Sequence, residues 1–130
     1  MSDITRQLIE RFWHTMNTND WDAVGRLLCD DCALDYPQSG ERFRGRASFA
    51  AINAHYPAAG PWRFTVQRIV ADGATGASDV QVSAPEMEAR VVSFFDIRDG
   101  LIASMTEYWP DPFPAAAWRA QWAEQGGGAS

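Results

Sequence analysis

Apolar positions recur at helical spacing early in the chain and at strand spacing in its second half. Ile4, Leu8, Ile9, Phe12, Trp13 and Met16 form one stripe and predict a helix over residues 3–18. Asn17-Thr18-Asn19-Asp20 breaks that stripe and offers an N-cap. A shorter helix follows with Trp21, Val24, Leu27 and Leu28, ending near Cys29. A short strand over residues 33–36 leads into Pro37-Gln38-Ser39-Gly40-Glu41, a turn by composition. Phe43-Arg44-Gly45-Arg46 then enters a third helix carrying Phe49, Ile52 and Tyr56, closed by Pro57.

From Trp62 onward the period is two. Residues 62–71 alternate through Trp62, Phe64 and Val66, residues 75–83 through Val80 and Val82, and residues 87–97 and 101–109 complete the set. Asp72-Gly73 and Asp99-Gly100 between such runs are hairpin signals. The order is helix, helix, strand, helix, then a four-stranded antiparallel meander, which is an α+β arrangement. A mostly antiparallel, strongly curved sheet wrapped around the N-terminal helices leaves a conical cavity at its open end. Residues 1–125 read as one domain and residues 126–130, with three successive glycines, as a flexible tail. Phe113, Trp118 and Trp122 suggest a short amphipathic helix before it.

The last strand changes the picture from fold to chemistry. Alternation puts Leu101, Ala103, Met105, Glu107 and Trp109 on one face, so a carboxylate ends an otherwise apolar stripe. That is costly unless the group is paired, hydrogen-bonded or turned to a cavity. Burial among Met105, Trp109 and other aromatics raises its pKa toward neutrality, where one group both takes and gives protons. The competing reading pairs Glu107 with Arg63 or Arg90, or leaves it at a solvated rim.

Composition excludes more than it selects. A net charge of −6 disfavours a nucleic-acid groove or an anionic membrane surface as partner. No run approaches membrane-spanning length and no signal-peptide pattern opens the chain, so a cytoplasmic protein is expected. Cys29 and Cys32 stand as Cys-x-x-Cys, but the intervening aspartates oppose thiolate formation, and His14 and His55 lack a useful spacing for a fourfold metal site. Packed, reduced thiols are the expectation. With no phosphate-binding glycine loop, nucleophile triad or metal cluster, neither cofactor nor metal is expected.

Asp31-Cys32-Ala33, Phe43-Arg44-Gly45-Arg46, Asp99-Gly100-Leu101-Ile102 and Glu107-Tyr108-Trp109, at these spacings, resemble the nuclear transport factor 2-like superfamily, and within it the SnoaL-like group. The resemblance spans residues 4–109. It implies a cone-shaped fold, a homodimer formed through the outer sheet face, and one of several activities: polyketide cyclisation, ketosteroid isomerisation, epoxide hydrolysis, dehydration or plain ligand binding. The isomerase design needs a Tyr and a protonated Asp as oxyanion hole and another Asp as base. Those positions fall near Phe12, Val92 and Tyr36, of which Tyr36 alone offers a hydrogen bond. The epoxide-hydrolase Arg-x-Asp matches Ala77-Ser78-Asp79, keeping the Asp and losing the Arg, while its last-strand carboxylate corresponds to Glu107.

The candidate catalytic set is therefore Glu107, Asp79 and Tyr36. Asp79 and Gln81 join the cavity only if their strand face is the inner one; with Val80 and Val82 inward, Asp79 is an edge charge. Phe12, Met16, Gln38, Phe49, Asn53, Tyr56, Trp62, Met105 and Trp109 are the candidate ligand contacts, an apolar wall with few polar groups. His55 is a candidate proton shuttle at the mouth. The aromatic content favours a small hydrophobic ligand. Two functions remain open: an acid/base enzyme on a hydrophobic carbonyl, hydroxyl or epoxide compound, or a non-catalytic binding or dimerising module.

Overall fold

The structure is a computed structural model in which residues 1–124 are described; the proposed glycine tail lies outside them. Helix α1 (Ser2–Met16) packs Leu8, Ile9, Phe12, Trp13 and Met16 against the sheet. Ile4, expected in that stripe, is exposed; Thr5 takes the inward position instead, its hydroxyl donating to Gly73 O at 2.6 Å. Helix α2 (Trp21–Gly25) is capped by the Asp20 side chain, which accepts from Ala23 N. It stops earlier than expected because Leu28 pairs with Ile102 in the sheet, so strand β1 runs from Leu28 to Tyr36 and holds both cysteines. Residues 41–44 are not only a turn exit: Glu41–Arg44 forms β2 against the end of β1. Helix α3 (Arg46–His55) follows Gly45, whose φ of 90° suits glycine.

Strands β3 (Arg63–Asp72), β4 (Thr75–Ala84), β5 (Met87–Arg98) and β6 (Leu101–Tyr108) form the expected meander. The six-stranded sheet runs β2-β1-β6-β5-β4-β3, antiparallel throughout except where β1 lies parallel to β6. Asp99 and Gly100, both with positive φ, make the two-residue turn between β5 and β6. Register shifts between Val66 and Arg68 on β3, and opposite Ala103 on β6, bend the sheet around α1. The shift on β6 also changes which residues face inward. Val66, on the edge strand opposite buried Val80, is left 40% exposed, and Ile102, rather than Leu101 and Ala103, joins the buried side of β6.

Where α1 ends, Asn17 and Asn19 act as a substitute strand edge for the start of β3. Asn17 accepts from Phe64 N at 2.6 Å and donates to Phe64 O at 2.8 Å. Asn19 repeats the pattern on Trp62, at 2.8 Å each way. These bonds fix Trp62 and Phe64 as walls of the open end. Phe12 packs in the core behind them, edge-on to Trp13 at 4.8 Å and to Phe95 at 5.7 Å. The C-terminal segment is a 3-10 turn (Ala117–Trp122), not an amphipathic helix, and Phe113, Trp118 and Trp122 all lie exposed.

Candidate functional site

The open end of the cone holds a cavity of about 500 Å3, within the range of small-molecule sites. Trp13 and Met16 of α1, Phe49 and Ile52 of α3, and Phe64 and Val82 of the sheet give it apolar walls. Trp13 is held by its indole N–H, which donates to Ser78 Oγ at 3.0 Å. Tyr56 and Trp62 stand edge to face at 5.0 Å beside the opening.

Glu107 lies on the cavity lining and is only 5% exposed. The extra residue on β6 keeps Met105 and Glu107 in inward phase, and cross-strand pairing sets Glu107 opposite Ser93. Ser93 Oγ donates to Glu107 Oε2 at 3.3 Å, a long bond. Burial raises the carboxyl pKa to about 7, opposed by Ser93 and by the Trp109 indole. Neither arginine of the competing reading pairs with Glu107: Arg90 donates to both oxygens of Asp79, at 2.7 and 2.6 Å, and Arg63 is exposed at the start of β3.

That pair also settles the orientation of β4. Val80 and Val82 are buried, so Asp79 and Gln81 point to the outer face and do not line the cavity. Asp79 is corrected to an outer-face ion pair, its carboxyl held low by the Arg90 hydrogen bonds. Phe12 and Met105 are also corrected: both are essentially fully buried in the core, behind the cavity wall. The remaining candidates, Met16, Tyr36, Gln38, Phe49, Asn53, Tyr56, Trp62 and Trp109, line the cavity together with Glu107. His55 does not; its ring nitrogen is turned back to Ala51 O.

Tyr36 stacks edge-on against Phe43 at 5.2 Å, and burial, then the neighbouring Glu107 and Glu41, push its phenol pKa up. It remains a neutral donor. Gln38 Oε1 accepts from Trp109 N at 2.6 Å and ties the chain after β6 to the loop after β1. The Trp109 indole Nε1–H is buried with no hydrogen-bond partner among the described residues. It lies near enough to Glu107 and Tyr36 to lower both pKa values, outside the geometry of a formed bond.

Sequence reasoning missed Trp13, Ile52, Phe64 and Val82 as walls, since each reads equally as core. It also missed the acidic rim, where Ser39 Oγ donates to Glu41 Oε1 at 2.7 Å and Asp111 lies across the opening. The two thiols are free and buried, with Cys32 pushed up to about 11 by burial. Among the described residues no group of three or more His, Cys, Asp or Glu is placed to hold a metal ion, and no helix is long and apolar enough to cross a membrane.

The fold is shared with several solved structures. A candidate ketosteroid isomerase from Kribbella flavida DSM 17836 is 31% identical, with a TM-score of 0.90 over 98% of this chain and 93% of its own. An NTF-2 like protein of unknown function from Burkholderia xenovorans LB400 is 35% identical, at 0.79 over 96% and 97%. A candidate polyketide cyclase from Xanthomonas campestris pv. campestris is 25% identical, at 0.70 over 84% and 92%. No match is found among the curated proteins. The family model for the SnoaL-like domain matches residues 9–105, so a curved sheet closed over α1, with its buried Glu107, belongs to a member of the SnoaL-like family in the NTF2-like fold.

Proposed function

We propose that this chain is a cytoplasmic, homodimeric proton-transfer enzyme acting on a small hydrophobic carbonyl, hydroxyl or epoxide compound, with Glu107 as its acid/base. The observation that carries this reading is a carboxyl group on the wall of a largely apolar cavity, in no ion pair among the described residues and brought to a pKa of about 7. At neutral pH such a group is populated in both forms, so it removes and returns a proton without a second residue. On a ketone, Glu107 takes the proton from the carbon next to the carbonyl and the electron pair moves onto oxygen. The Tyr36 hydroxyl donates to that developing charge. Return of the proton to another carbon completes an isomerisation; attack of the carbanion on a second carbonyl, whose alkoxide oxygen takes the proton back from Glu107, completes a cyclisation.

The isomerase and cyclase among the structural relatives agree with this class of chemistry, but the Tyr and Asp donors of the isomerase design are not supplied by Phe12 and Val92, neither of which lines the cavity. The dimer reading rests on the outer sheet face. Phe94 and Tyr108, edge-on at 6.2 Å, and Val70 are exposed there although large and apolar.

The test is turnover of ketones, alcohols and epoxides on a tetralin-sized skeleton, with exchange of α-hydrogens in heavy water followed for the ketones. Glu107→Gln is expected to lower the rate by about 10²–10⁴-fold. Wild-type kcat/KM is expected to change near pH 7. An unchanged rate in Glu107→Gln refutes the assignment.

A further inference from the structure

The acid/base reading leaves one buried group unused. Trp109 Nε1–H is buried, on a residue of the cavity wall, with no acceptor among the described residues, and a buried unsatisfied donor is costly unless a ligand supplies what is missing. Trp109, Tyr36 and Glu107 line the same cavity. The Tyr36 phenol is kept protonated by its burial and by its carboxyl neighbours, so it too offers a donor. Elsewhere the lining is largely apolar, and the polar groups nearer the opening are already engaged. Gln38 accepts from Trp109 N, and Asn53 donates to Phe49 O at 2.9 Å. The rim carries Glu41 and Asp111, which repel an anion, while Arg90, which also touches the lining, is held by the two bonds it donates to Asp79.

We propose that Trp109 is the specificity-determining residue of this site: its indole N–H and the Tyr36 hydroxyl receive one carbonyl oxygen, so the substrate is a neutral hydrophobic ketone or aldehyde. This rests on the acid/base reading and narrows it. A carbonyl oxygen has two lone pairs in one plane and accepts two donors without leaving a hydrogen of its own to place. An alcohol brings an O–H that needs a further acceptor. An epoxide needs one group to activate water and a second to protonate the leaving oxygen; Asp79, the carboxylate expected to share that work, faces outward and is held by Arg90. With the oxygen between Tyr36 and Trp109, the adjacent carbon is presented toward Glu107. A ketone needs only one base there.

Binding separates this inference from catalysis. Calorimetry with 1-tetralone and with tetralin, which lacks the carbonyl, measures what the oxygen contributes. The ketone is expected to bind at least about tenfold more tightly than the hydrocarbon, the scale of one otherwise unmade buried hydrogen bond. Trp109→Phe is expected to weaken 1-tetralone about tenfold and leave tetralin within about twofold, and Tyr36→Phe to do the same in part. Thermal melting of each variant checks that it folds, and the two substitutions lie on different strands of argument, one in β1 and one after β6. Equal loss for ketone and hydrocarbon, or no loss in either variant, overturns the proposal. So does tighter binding of 2-aminotetralin than of the ketone, with release of the Glu107 proton, since that marks a cation site. Selective ketone binding without turnover sustains this inference and sinks the enzyme reading; turnover without selectivity does the reverse.

Discussion

Replacing Glu107 by Gln keeps the size of the side chain and an oxygen for the Ser93 hydroxyl, while removing the ionisable proton. In the folded chain the carboxyl pKa is about 7, against 4.5 for the free group. A shift of that size is worth about 3 kcal/mol, at roughly 1.4 kcal/mol per unit. The sign follows from proton counting. Between pH 4.5 and 7 the folded state holds a proton that the unfolded state has lost, so stability falls as pH rises. The contribution is complete below the unfolded value and gone once pH has passed the folded one. Wild type is therefore expected to lose about 1.4 kcal/mol per pH unit across that window from this group, and Glu107→Gln to lack that slope. The groups facing Glu107, Tyr36 and Cys32, titrate far above the window, Cys32 at about 11. Asp31, Asp35 and Asp79 are held low by arginines, so their opposite contribution is lost only as pH falls beneath it. Urea unfolding of both proteins from about pH 4.5 to about pH 8.5 at constant ionic strength measures the difference. At the alkaline end the variant is expected to equal or exceed wild type. Parallel curves for the two proteins would refute the claim that this carboxyl is buried away from water.

Other outcomes test the frame that holds the site. Asn17→Ala removes the pair of bonds to Phe64 and is expected to cost about 1–3 kcal/mol in urea unfolding. Gly76→Ala would set a methyl 2.5 Å from Ile9 Cδ1 and 3.0 Å from Val70 O, so about 1–3 kcal/mol of destabilisation is expected from overpacking. Phe94→Glu is expected to leave the fold intact and shift the chain to a monomer in sedimentation experiments; a dimer that persists argues against the outer face as interface. Cys29 and Cys32 are expected to react slowly with a thiol reagent in the native state and rapidly in urea, because both are buried and the Cys32 thiol is pushed up to about 11.

Turn chemistry and period made most of the architecture legible in the chain. Asp99-Gly100 specified a hairpin, and the heptad-like run from Leu8 to Met16 specified the buried helix face. What escaped were features set by partners far away in sequence. Leu28 looks helical until Ile102 pairs with it, and the four residues of β2 are strand only because β1 lies beside them. Face assignment failed where an extra residue breaks alternation: opposite Ala103 it exchanged Leu101 for Ile102, while Glu107, beyond the break, stayed in phase. For Asp79 periodicity left two faces open, and burial of Val80 and Val82, with Arg90 two residues off register on the neighbouring strand, decided between them. The Trp109 N–H carries no sequence signal at all, since an unmet donor is visible only once its surroundings are.

The parallel seam between β1 and β6 gives this protein an order of assembly. Tyr36 leaves the ribosome some seventy residues ahead of Glu107, and they become neighbours only when the final strand slots in beside the first. A nascent chain lacking its last strand has three helices, the β1–β2 pair and the three-stranded β3–β5 array, but nothing joins the two sets of strands. Such long-range closure is intrinsically slow. The cavity is thus walled only after β6 has been made, and a chain cut short before residue 101 lacks Glu107, Trp109 and Asp111 from its lining.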